Sequence, residues 1–127
     1  MKVAVIVARI LLGLLFLVFG LNGFLNFLPM PAPQGLAGQY LGALFVSHYL
    51  EAVFLLEIVA AGLLLANRFV PLALALLGPI LVNILLFHSL MAPEGLPMAL
   101  GAALLWAVVF SGVRQSFAGL FAQRIEA

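Results

Sequence analysis

Charge and cysteine are what this chain of 127 residues has least of. Only 7% of its residues are charged, while 67% are hydrophobic. Soluble domains carry about 25% charged residues. Five basic and four acidic side chains cannot cover a globular surface with ionic groups. Cysteine is absent, which excludes disulfides, thiolate metal sites, iron–sulfur clusters and thiol redox chemistry carried by this chain alone. That absence is silent about compartment. The net charge is +1, with no cluster of Lys and Arg and no interleaving of basic and aromatic residues, so nothing points to nucleic acid as a partner. There is no nucleophile–base pair, no glycine-rich phosphate loop and no paired carboxylate motif. Ser111 and Ser116 have no histidine near them in sequence.

What the chain has is apolar runs. A membrane-spanning helix needs about 20 mostly apolar residues, and four segments qualify: 3–28, 48–66, 71–91 and 97–112. The expected fold is an all-α polytopic membrane protein, a four-transmembrane-helix bundle forming one domain over 1–127. The first run exceeds the 7–15 apolar residues typical of a signal peptide, and no small-x-small cleavage site follows it, so it is expected to be retained as a span. Pro29, Pro31 and Pro33 close it. Asn67 tolerates the left-handed cap and Arg68 suits a helix C-terminus, so they end the second span. Pro71 suits the first turn of the third span. Spans two and three therefore form a tight antiparallel hairpin. Pro93, Glu94, Gly95 and Pro97 make a similar join before span four, and Pro79 is expected to kink span three.

Residues 34–46 carry Leu36, Tyr40, Leu41, Leu44 and Phe45 at helical spacing, broken by glycines. Gln34 to Ala66 is too long for one span, so 34–46 reads as a short outer helix, interfacial or re-entrant. The tail, 113–127, sets Phe117, Leu120, Phe121 and Ile125 against Arg114, Gln115, Gln123 and Arg124, the pattern of an amphipathic interfacial helix. Four spans put Lys2, Arg9, Arg68, Arg114 and Arg124 on one side, which is every basic residue apart from the histidines. The positive-inside rule then predicts that both termini are cytoplasmic.

Polar groups inside a span are costly and demand a reason. Glu57 lies roughly 10 Å below the outer boundary at 1.5 Å per residue, where a lone carboxylate must pair or take up a proton. Ala60 and Ala61 beside it allow another helix to approach. Asn22 and Asn83 fall at similar depth, and His88 slightly nearer the outside. Two readings stand: an outer-half binding pocket of Glu57, Asn22, Asn83 and His88 with Asn26, or hydrogen bonds that only lock the bundle. Arg9 continues the face of Gly13, Gly20 and Gly23 and can snorkel to the cytoplasmic interface, so it reads as an anchor. Asn22 and Asn26 share the opposite face. His48 and Glu51 stand three apart; two ligands are too few for a metal, so interfacial solvation is the reading. His48 and His88 as axial haem ligands are the weaker alternative to hydrogen-bonded structural histidines.

Three stretches carry a family likeness: Arg9–Phe27 (RILLGLLFLVFGLNGFLNF), Glu57–Leu65 (EIVAAGLLL) with basic Arg68 beyond it, and Pro79–His88 (PILVNILLFH). Over residues 9–115 the chain resembles the DoxX family of membrane proteins. The resemblance implies a four-helix bundle in the bacterial cytoplasmic membrane. Some members are similar to subunits of thiosulfate:quinone oxidoreductases, others are associated with oxidative-stress partners, and many have no assigned activity. It implies a membrane subunit working with a redox partner protein rather than a self-sufficient enzyme. The expected ligand is a small amphipathic molecule of the quinone or lipid type. A structural or assembly protein is the rival class. A small transporter is third, since four spans offer alternating access only as a homo-oligomer.

Overall fold

The computed structural model describes residues 2–126. Its helices are α1 (Lys2–Leu25), α2 (Gly35–Val46), α3 (Tyr49–Ala66), α4 (Val70–Leu90) and α5 (Leu96–Val113), with short 3-10 segments at Pro93–Gly95 and Arg114–Phe121. No strand is present among the described residues. Four of the helical segments are long and apolar enough to cross a membrane. The chain is thus a multi-pass membrane protein. α2 has 12 residues, a length of about 18 Å against a hydrocarbon core of about 30 Å.

Helix ends follow local chemistry. α3 closes with Asn67 in the left-handed region (φ 55°). The Asn67 N–H then bonds the Leu64 carbonyl at 3.2 Å and the Arg68 N–H bonds Leu63 at 3.0 Å, the paired bonds of a Schellman cap. α1 stops at Leu25, short of the expected Leu28. Asn26 takes φ 52°, and the Asn22 side chain accepts the Leu28 N–H at 2.7 Å. An asparagine that tolerates the left-handed region thus ends the helix before the prolines are reached. The tail is helical over 114–121, as a 3-10 run, with Phe117 packed back on Phe110, ring centroids 5.1 Å apart.

The four spans form a ring in which α1 packs on α3 and α5, and α4 packs on α3 and α5. Register shows the α1–α3 pair to be antiparallel. Gly13 meets Leu64 and Leu65, Gly20 meets Ile58 and Glu57, and Gly23 meets Phe54. Lipid tails are as apolar as leucine, so helices in a membrane associate by close packing, and glycines let backbones approach. Gly112 against Val5 closes the ring between α5 and α1. Between α4 and α5, the Trp106 indole donates to the Leu74 carbonyl at 3.0 Å.

The molecule is inside-out by soluble standards. Large apolar side chains such as Val3, Leu14, Leu72, Leu86 and Leu104 cover the outside. The largest fully buried side chains are Leu12, Leu64, Leu74, Leu77 and Val109. By the register above, all five lie in the half of the bundle nearer Lys2 and Arg68. In the other half, Asn22 and Glu57, the only buried polar residues among those described, enter the interior. α2 packs at that end: its Tyr40 ring meets Phe87, in the last turn of α4, at 5.7 Å.

Candidate functional site

α3 buries Glu57, Ala60, Ala61 and Leu64, a stripe at spacings of three and four that faces the bundle axis. Glu57 is the outermost member and only 5% exposed. Its Cβ stands opposite Gly20 of α1, so the glycine provides the space for the acidic side chain. The only salt bridge among the described residues is that of His48 with Glu51, so Glu57 has no ionic partner there. No described side chain or backbone N–H donates to its carboxyl, yet no fully sealed side-chain oxygen is left unsatisfied. The carboxyl oxygens therefore keep some opening to the surroundings of the bundle.

The other polar residues divide. Asn22 is 9% exposed and lies in the same half as Glu57; its oxygen is committed to the Leu28 N–H, which leaves its amide N–H groups to give. Asn83 does not join them. It is exposed on the lipid-facing side of α4, with its amide donating to the Pro79 carbonyl at 2.9 Å. Leu77 and Leu81 take the inward positions of α4, and Asn83, two residues past Leu81, is turned roughly 200° away at 100° per residue. His88 sits on the α4–α5 join, half-buried. Its Nδ1 lies 3.0 Å from the Ala92 carbonyl, so that nitrogen carries the proton and donates. The ring lies so close on Gly95 that no side chain would fit there. Asn26 is the exposed residue that terminates α1. His48 and Glu51 meet at 3.2 Å with side chains 76% and 60% exposed, a solvated pair on the turn into α3.

Arg9 is half-buried and donates to the Leu64 carbonyl of α3. The cation binds the last turn of α3, where the backbone dipoles present negative charge. This ties α1 to α3 at the end remote from Glu57.

One feature was missed by reading the residues alone. An apolar cleft of about 310 Å³ opens between α2 and α3, lined by Pro33, Gly38, Leu41, Gly42, Phe45 and Leu50. Its signal was the pair Gly38 and Gly42, four apart on α2, which hollows one side of that helix. Leu50 and Glu57 are seven apart and share a face of α3, roughly 10 Å from each other along the axis. An apolar cleft and a buried acid are thus carried on one side of one helix. A second cleft, about 320 Å³, lies between the start of α1 and the end of α5 at Lys2, Val5, Ile6, Ser111 and Gly112. Comparison with family models, with curated proteins and with solved structures gives no match.

Proposed function

We propose that this multi-pass membrane protein is a DoxX-like subunit that binds a small amphipathic molecule of the quinone or lipid type in the half of the bundle beneath α2, and that it serves a redox partner protein. The observation that carries the reading is Glu57: a carboxyl buried in a bundle surrounded by hydrocarbon, without an ionic partner among the described residues. Burying such a group without compensation is expensive, and a bound polar head offers compensation. The Asn22 amide adds donors nearby, and the α2–α3 cleft accepts apolar length on the face of α3 that Glu57 occupies. In this reading the ligand's polar end bonds Glu57 and Asn22, and its apolar part lies along Leu50 and α2. The basic residues at the opposite end orient both termini toward the cytoplasm of a bacterium, by the positive-inside rule.

A structural or assembly role is the second reading. It is favoured by the Arg9 bond to Leu64 and by the glycine contacts between α1 and α3, which need no ligand. The two are separated by Glu57→Gln and Glu57→Leu in one detergent, with thermal stability and extractable quinone and lipid measured together. Binding predicts that Glu57→Gln loses the extracted molecule at unchanged Tm. A structural lock predicts that Glu57→Gln is silent and that Glu57→Leu lowers stability by about 1 kcal/mol, the scale of an interhelical hydrogen bond in a membrane. Equal ligand content in all three proteins refutes the binding reading.

A further inference from the structure

Among the described residues, Asn83 is the one amide in the middle of a span that faces outward. It lies roughly 10 Å from the end of α4, well inside a hydrocarbon layer about 30 Å thick. Along the same side of α4 run Leu72, Ala75, Pro79, Leu86 and Leu90, all exposed. None of the bundle's own helices covers this side, because α3 and α5 pack on the faces that bury Ala73, Leu74, Leu77 and Leu81.

An asparagine side chain has two N–H donors and an oxygen with two lone pairs. Only one donor is used here, in the bond to Pro79. That bond also fixes which amide atom is nitrogen, because the carbonyl of Pro79 can only accept. One N–H and the whole oxygen are left facing lipid, which can satisfy neither.

From this geometry we infer that the α4 face centred on Asn83 is the contact surface of a homodimer. The partner is a second copy for a reason of symmetry. Insertion gives every copy the same orientation, so two copies related by a two-fold axis along the membrane normal bring their Asn83 residues to the same depth. An amide is self-complementary: the free N–H of each meets the oxygen of the other, giving two reciprocal bonds in an isologous interface. A different protein would need an amide placed independently at that depth. Ala75, two turns away on the same face, is small enough for the two α4 backbones to approach. The proposal is independent of Glu57 and of any ligand.

The chain has no cysteine, so single introduced thiols report contact cleanly. In full-length protein reconstituted in phospholipid vesicles, Leu86→Cys should oxidise to a disulfide-linked dimer. Leu104→Cys, on the exposed side of α5, should not. Adding Asn83→Leu to Leu86→Cys should raise the protein-to-lipid ratio needed for half-maximal cross-linking by roughly tenfold, the loss of two bonds of the size found between membrane helices, without lowering Tm. Asn83→Gln, which keeps donor and acceptor, should restore most of the dimer. Absence of a Leu86→Cys dimer, equal cross-linking at Leu86→Cys and Leu104→Cys, or a dimer indifferent to Asn83→Leu would each overturn the proposal. Should the Asn83→Leu chain fail to fold, the contrast between the two cysteine positions still decides.

Discussion

Substituting Gly20 by alanine tests whether the α1–α3 seam is as tight as described, because the cost can be worked from two contacts. The added Cβ would stand 2.9 Å from Ile58 Cγ1 and 3.2 Å from the Phe54 carbonyl oxygen. Isoleucine in a helix has one strongly preferred χ1 rotamer, and leaving it costs about 0.5–1.5 kcal/mol. The Phe54 oxygen is backbone and cannot turn aside, so the helices must part by a few tenths of an ångström. Parting loosens the neighbouring Gly13 and Gly23 contacts, which lie along the same seam. Overpacking of this kind costs about 1–3 kcal/mol. Alanine regains at most about 1 kcal/mol of helix propensity over glycine. The net expectation is a loss of about 1–2 kcal/mol. Gly62, on the exposed side of α3, has nothing within 4 Å of an added Cβ, so Gly62→Ala gives the propensity term alone and should be neutral or slightly stabilising. The assay is reversible unfolding of both variants and the parent in mixed detergent–SDS micelles. If Gly20→Ala matches Gly62→Ala, the seam is not close-packed and the argument from glycine contacts fails.

Two further outcomes are expected. Arg9→Met keeps the apolar stem but removes the donor to the Leu64 carbonyl; because Asn67 still bonds that carbonyl, the loss should stay at about 1.5 kcal/mol by thermal unfolding, the low end for a charge-assisted bond, and an unchanged Tm would show the contact to be idle. A reporter active only in the cytoplasm should work when fused after Ala127 or at Arg68 and fail at Glu94, while activity at Glu94 alone would invert the orientation.

The spans were legible because each is a long apolar run, and the hairpin between α3 and α4 because Asn67 and Pro71 announce a cap and a start. The end of α1 was harder to place. Asn26 reads as one more residue of an apolar helix until its backbone is seen in the left-handed region. The depth of Asn83 was readable from its position in the run, but its direction was not. α4 is apolar on all sides, so no polar face indicates which residues turn inward, and packing chose Leu77 and Leu81. Glu57 differed, since Ala60 and Ala61 on its face marked the side a neighbour could approach. The glycines of α1 likewise marked a packing face, although the sequence could not name α3 as its partner. The role of Arg9 depended on that missing partner: a carbonyl on another helix leaves no trace in the spacing around an arginine.

The contact of Val5 with Gly112 has a consequence for the order of the chain. The ring of spans is closed by its two extremities, so helix succession around the bundle has no privileged beginning. Linking the tail to Lys2 and opening the chain at the Arg68–Phe69 turn would yield the order α4, α5, α1, α2, α3. That chain starts and finishes on the same side of the membrane as the natural one, and each pair of adjoining helices keeps its neighbour. The bundle is cyclic in architecture: each span has a neighbour on either side, whatever the order of the connections.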